Sequence, residues 1–226
     1  MKNDILDITL QASIPNLVSI KEKLLSKISK SFYVSEENVL TDKDLKELKT
    51  GILSSKYLST NNLNRDFVSS KGFSIVFTRK GISEVSKHFP FFSKYLELAL
   101  DPYCNAFYLN PLLLKSDSRV DPHIDRSLRS YLKTIDTPLL VSVLYLQVVE
   151  NLLGGELTLT NNKKTLGKIK PKTNMLLYFQ GHLTHSVNQL KSDGERLSLV
   201  CEQYNLLDDE LREIPEFRIE SRTIKY

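Results

Sequence analysis

Cysteine is scarce in this chain. Cys104 and Cys201 lie far apart, and no Cys-x-x-Cys pair exists, which excludes a thiolate zinc site. Each sits in an apolar stretch, so two buried free thiols in a reducing compartment are expected. No apolar run approaches the ~18 residues of a membrane-spanning helix. The N-terminal MKNDILDITLQ carries acidic residues where a secretion signal would carry a hydrophobic run, which predicts a cytoplasmic protein. A surplus of one charge is also missing. There are 31 Lys and Arg against 27 Asp and Glu, a net charge of +4, with no basic block of five or six. A surplus so small and scattered describes a mixed solvated surface and argues against nucleic acid as a partner. There is no internal repeat, no low-complexity tract and no phosphate loop. Gly154-Gly155 is not followed by Lys-Ser/Thr at a helix start, and reads instead as hairpin geometry needing positive φ.

What is present is ordinary globular material. The chain has 226 residues, 41% apolar and 26% charged, enough for one domain with a substantial core. Residues 1–100 read as a helical N-terminal elaboration. Ser13 is the expected N-cap of a first helix with Pro15 in its first turn, and a second helix is expected over Ser35–Lys49, stopped by Gly51. Asn61–Arg65 reads as a polar loop and Ser74–Thr78 as a short strand. Gly81–Phe89 and Phe91–Leu98 read as short helices parted by Pro90. From Asp101 the texture changes to strand-length apolar runs: Ala106–Leu114, Leu139–Val149, Glu156–Thr160, Met175–Phe179, Thr184–Leu190 and Leu197–Tyr204. Asn161-Asn162 and Asp193-Gly194 are turn signals between them. Many short strands without intervening helices predict an α+β protein: a jelly-roll or cupin-like barrel over 101–205, buttressed by the preceding helices. Residues 206–226 form a C-terminal extension of the same structural domain.

Only four histidines occur: His88, His123, His182 and His185. In the extended segment Asp121-Pro122-His123-Ile124-Asp125, period two puts His123 and Asp125 on one side and Ile124 on the other. An imidazole and a carboxylate two residues apart can be cis ligands of one metal. His185 follows 62 residues later, room for about four strands. Two His and one carboxylate on one face of an octahedron leave three positions open, the facial triad of non-haem iron(II) oxygenases. His182 falls in the turn before that strand and is expected to be exposed or to support the site from behind, and His88 ends a short helix, where it complements the dipole. Arg196 opens an apolar strand 11 residues after His185 and points the same way as Ser198. A guanidinium fork and a hydroxyl suit a carboxylate. Arg126 and Arg129 follow the metal motif and read as solvated loop residues, with an anionic substrate contact as the alternative.

His123-x-Asp125, then His185, then Arg196-x-Ser198 resembles the 2-oxoglutarate/iron(II) dioxygenase superfamily. Leu144-Tyr145-Leu146 followed by Gly154-Gly155-Glu156-Leu157 resembles the strands between the two histidines in its prolyl-hydroxylase-like branch. The likeness spans roughly Asn105–Asn205, and the first hundred residues match nothing known. It implies a double-stranded β-helix in which His123, Asp125 and His185 hold Fe(II). It also implies that 2-oxoglutarate is the co-substrate beside O2, with ascorbate as a candidate reductant. Arg196 would receive the distal carboxylate, helped by Ser198 and by Tyr108 or Tyr145. Hydroxylation of a small molecule, amino acid or peptidyl side chain is the implied outcome. Halogenating members usually have a small residue at the Asp125 position. Nucleic-acid demethylases have a second arginine where this chain has Glu202. A catalytically silent barrel or a cupin-type metalloenzyme remains the alternative, and neither needs the Arg196-x-Ser198 clamp.

Overall fold

The computed structural model describes residues 16–60, 67–191 and 193–221. Helix α1 (Leu17–Ile28) is followed by strand β1 (Tyr33–Glu37), α2 (Asp42–Leu53), β2 (Ser59–Thr60), β3 (Phe67–Gly72) and β4 (Ser74–Thr78). Then come α3 (Ile82–His88), a short 3-10 turn at Pro90–Phe92 and α4 (Ser93–Ala99). The long β5 (Ala106–His123) leads to a 3-10 turn at Ser127–Ser130, then β6 (Leu140–Gln147), β7 (Leu157–Asn161), β8 (Lys164–Ile169), β9 (Met175–Gln180), β10 (Thr184–Val187) and β11 (Arg196–Tyr204). The described chain closes with α5 (Asp208–Arg212) and β12 (Phe217–Glu220).

The expected strands from Ala106 onward all form, and β8 joins them. All pairings are antiparallel, in the order β1-β9-β6-β11-β5-β10-β7-β8, with β3 and β4 also on β5, β2 on β3 and β12 on β4. This curled sheet is the double-stranded β-helix that the strand pattern and the family resemblance predicted. Its strands read as near-continuous apolar runs because both faces are covered. Leu144, Leu176, Leu197 and Leu199 meet the helices in one core. Their neighbours Val143, Tyr145, Leu177 and Phe179 fill the barrel interior in another. Period two therefore sorts each strand between two cores.

The N-terminal region departs from the helical expectation. Ser35–Glu37 belongs to β1, because pairing with Met175–Leu177 at the sheet edge outweighs local helix propensity. The second helix starts only at its Thr41 cap, whose Oγ1 accepts from Asp44 N at 3.1 Å. Gly51 lies inside that helix rather than beyond it, since a Cβ there would stand 2.3 Å from the Phe91 ring. Close packing therefore selects glycine at that position. Asn16 caps α1, accepting from Ser19 N at 3.1 Å. The expected cap Ser13, Pro15, the leading MKNDILDITLQ and the loop Asn61–Arg65 lie outside the described residues. Both cysteines are buried and free, as expected; burial pushes the Cys104 thiol up to about 12. No helix among the described residues is long and apolar enough to cross a membrane.

Of the expected turns, the one signalled by Asn161-Asn162 forms and the Gly154-Gly155 hairpin does not. Asn162 and Lys163, both at positive φ, form the tight turn between β7 and β8. Gly154 and Gly155, at φ 78° and 72°, instead lie in the crossing from β6 to β7, which do not pair with each other. A Cβ on Gly154 would come within 1.9 Å of Gln189 O.

Candidate metal centre

Strand β5 carries the site because it is long enough to serve two neighbours. Its first half pairs with β11, from Ala106↔Tyr204 to Leu114↔Arg196. After an irregularity at Asp117, which has φ 66°, its last residues pair with β10. That second pairing sets His185 directly opposite His123. The two imidazole centroids are 4.3 Å apart. β5 ends at His123, so Asp125 is presented from a loop rather than from the extended segment expected, and Ile124 also lines the cavity.

Asp125 sits between the rings. Its Oδ1 is 3.4 Å from His123 Nε2 and its Oδ2 3.4 Å from His185 Nε2. One ligand atom from each residue lies within 4.8 Å of the others. The far sides of both rings are engaged: His123 Nδ1 meets Asp121 O at 2.8 Å and His185 Nδ1 meets Leu183 O at 3.3 Å. A carbonyl acceptor at Nδ1 keeps the proton there and leaves Nε2 as the donor atom, as metal-binding histidines require. Burial holds His185 below its usual range, with Asp125 opposing. For Asp125, burial is outweighed by the two histidines and the carboxyl lies below its ordinary value. A neutral imidazole and an ionised carboxylate are the protonation states that ligation needs. Asp125 Oδ2 is buried and has no hydrogen-bond partner. Two nitrogens and one carboxylate, converging with an unsatisfied oxygen, fit an iron(II) ion.

Beside the triad lies a cavity of about 420 Å³. Arg196 stands at its inner end, 2% exposed, with Nη1 donating to Gly155 O at 2.6 Å. Its guanidinium carbon is 4.9 Å from the Tyr145 ring centroid. Ser198, opposite Tyr145 in the β11–β6 register, completes the group. Arg196 Nε, Ser198 Oγ and Tyr145 Oη are all buried without hydrogen-bond partners. Burial lowers Arg196 from its ordinary value and raises Tyr145. An unpartnered buried donor set is costly unless a ligand completes it.

Tyr108 is not part of that group. It faces Glu202 at the other end of β11 and bonds Ser74 Oγ at 2.6 Å. Six residues separate Arg196 from Glu202, roughly 20 Å of strand. His182 is exposed, as expected. His88 ends α3, meets Glu84 O at 2.9 Å and packs on Phe217 with ring centroids 4.8 Å apart. Arg126 is exposed but lines the cavity, and Arg129 donates to Ile135 O at 2.6 Å.

Two carboxylates in the cavity wall were not foreseen. Glu220 arrives with β12, and no local signal marks it. Glu202 could have been found, since residues 196, 198, 200 and 202 share one face by period two. It is 4% exposed and accepts from Ser127 N at 3.1 Å, from Ser127 Oγ at 2.5 Å and from Tyr204 Oη. It thus ties down the chain just after Asp125. Burial, reinforced by Asp125, raises Glu202 to about 8 from an ordinary 4.5. The folded state then keeps a proton that the unfolded chain has lost, so this group makes the metal-free protein less stable as pH rises from about 4.5 to about 8. Glu202→Gln is expected to gain on the wild type across that window. Thermal unfolding of both, stripped of metal, at pH ~5, ~7 and ~9 checks this; parallel profiles would mean Glu202 is ionised in the fold.

Residues 109–201 match the 2OG-Fe(II) oxygenase superfamily. No curated protein matches this chain in sequence. Among solved structures, the chain is similar to a Pseudomonas putida prolyl-4-hydroxylase, with a TM-score of 0.58 and 13% identity over 82% of this chain and 99% of that one. A prolyl hydroxylase from Trichoplax adhaerens, in complex with a peptide of hypoxia inducible factor, gives 0.54 and 16% over 86% and 92%. HygX from Streptomyces hygroscopicus, with nickel, 2-oxoglutarate and hygromycin B bound, gives 0.53 and 12% over 79% and 85%.

Proposed function

Taking residues 109–201 as a core of the 2OG-Fe(II) oxygenase superfamily, we propose that the protein hydroxylates a small molecule, an amino acid or a peptidyl side chain, releasing succinate and carbon dioxide. The observation that carries this reading is the pairing of two groups in one barrel: the convergent His123, Asp125 and His185, and the buried atoms Arg196 Nε, Ser198 Oγ and Tyr145 Oη, which have no hydrogen-bond partner among the described residues. His123, Asp125 and His185 would hold iron(II). The bound ion, with 2-oxoglutarate and dioxygen, supplies the oxidative decarboxylation and the oxygen that enters a substrate C–H bond.

The chain's own residues bind and orient. Arg196 would take the distal carboxylate of 2-oxoglutarate through its guanidinium, with Ser198 and Tyr145 adding hydroxyl donors. Tyr145 supports this because it shares the inner end of the barrel with Arg196, whereas Tyr108 lies at the opposite end. The apolar walls, Val143, Leu157, Phe179 and Val187 among them, exclude water and strengthen these charge-assisted bonds. A silent or cupin-type barrel has no use for a buried arginine whose Nε has no hydrogen-bond partner among the described residues. A demethylase reading is disfavoured, because Glu202 and Glu220 replace positive charge in the wall. Ligand pockets run from ~300 to ~1,000 Å³; this one sits low in that range and must hold the keto acid as well, which favours a small substrate or a single side chain.

Incubating the protein with iron(II), ascorbate and 2-oxoglutarate under air tests the proposal. Succinate that requires both iron and 2-oxoglutarate is the expected product, faster when a small-molecule cell extract is added. Its absence with and without extract would leave a metal-binding barrel of other purpose.

A further inference from the structure

The outer end of the cavity is lined in part by a strand from beyond the family match. In β12, Glu220 pairs opposite Ser74 of β4. Ser74 Oγ bonds Tyr108 Oη at 2.6 Å, and Tyr108 stands opposite Glu202 across β5 and β11. Glu220 is half-buried and lines the same cavity as the three metal-ligating residues. Its carboxylate is held rather than loose: Tyr131 Oη donates to Oε1 at 2.5 Å. Among the described residues Oε2 has no hydrogen-bond partner. Arg126 lines the cavity too, but it is exposed and forms no ion pair with Glu220. Arg196 lies at the opposite end of the barrel. The same cavity is lined by His123, Asp125 and His185, so Glu220 faces the space in which a substrate would have to sit beside the metal.

From this arrangement, and resting on the dioxygenase reading above, we propose that Glu220 recognises the substrate and that the outer end of the cavity takes its cationic group, an ammonium or a guanidinium. An oriented, half-dehydrated carboxylate with one oxygen satisfied and the other open is completed by N–H donors of a cation. An anionic group there would face Glu220 without compensation. An apolar group would leave the open oxygen unpaired, and a neutral donor would pair it without balancing its charge. The basic group can come from a free amine or from a peptidyl lysine or arginine, since both offer the same chemistry.

The test uses the iron(II) protein with 2-oxoglutarate, kept anaerobic for calorimetric binding and then exposed to air for succinate release. The probes are L-lysine and L-arginine, their Nα-acetyl methylamides as peptidyl mimics, and L-norleucine as a chain without the side-chain cation. Cationic probes are expected to bind and to stimulate succinate release, and norleucine to do neither. The two lysine forms tell free from peptidyl substrates. Glu220→Gln keeps the Tyr131 bond but removes the charge, and should weaken cationic binding about tenfold or more while 2-oxoglutarate binding stays unchanged. Tyr131→Phe, which frees the carboxylate, should weaken it less. Norleucine binding as well as lysine, a lysine preference that survives Glu220→Gln, or no cationic probe binding to protein that does bind 2-oxoglutarate would each overturn the inference alone. Failure to bind 2-oxoglutarate would overturn the dioxygenase reading and this inference with it.

Discussion

Asp125→Ala is expected to abolish 2-oxoglutarate turnover while leaving the barrel folded. The loss should exceed the roughly 10- to 100-fold typical of an outer-shell partner, because Asp125 is the only anion of the triad. Without it two neutral imidazoles remain, a weak set for a hard divalent ion. The fold should survive for a structural reason. Asp125 lies in a loop after β5, and among the described residues its carboxylate forms ion pairs only with the two histidines. Removing it also relieves the repulsion that helps keep Glu202 protonated. The lost attraction to the histidines opposes that gain, so the metal-free variant should melt close to the wild-type temperature, yet gain nothing from added iron(II) or manganese(II), whereas the wild type gains through binding linkage. Succinate release and metal-dependent melting, measured side by side, separate a lost site from a lost fold. Turnover at the wild-type rate would remove the proposed centre.

Arg196→Ala should act on the other half of the site. A buried charge that pairs with a ligand carboxylate costs about 2–5 kcal/mol when truncated, roughly 30-fold to several thousand-fold in affinity. Arg196 is 2% exposed and is held by Gly155 O and the Tyr145 ring. Its fork is thus pre-oriented, and most of the loss should appear in the 2-oxoglutarate dissociation constant. Metal affinity should change little, since among the described residues no hydrogen bond or ion pair joins Arg196 to His123, Asp125 or His185. Arg196→Lys should recover only part, because an ammonium lacks the planar fork. Titration of 2-oxoglutarate into the metal-loaded wild type and both variants reads this directly. An unaltered affinity in Arg196→Ala would place the clamp elsewhere.

The site was legible in sequence to the extent that its chemistry follows a local period. His123 and Asp125 are two residues apart, and so are Arg196 and Ser198. Each pair can be read from the alternation of an extended chain, even though Asp125 proves to lie just past its strand. The choice of His185 over His182 likewise came from strand against turn. The choice between Tyr108 and Tyr145 could not be made, because both sit on barrel strands and differ only in which end of β11 they face. The β1 edge strand was missed because only Tyr33 and Val34 in it favour a strand, while Ser35–Glu37 gains its conformation from β9. Gly51 was misplaced because a glycine selected by a neighbouring ring looks, in sequence, like a helix stop.

The sequence by itself determined the strand-rich second half and singled out the candidate donor residues, since hydrophobic pattern and side-chain chemistry are local properties. Only the tertiary structure decided that β5 bends at Asp117 to pair with both β11 and β10. That bend puts His185 opposite His123 and fixes Arg196 on the same barrel wall. Only the tertiary structure, too, carries Glu220 to the mouth of the cavity, by pairing β12 with β4 across more than a hundred residues of chain. Backbone pairing between distant segments is set by the closure of the whole barrel, and no short window of sequence contains it.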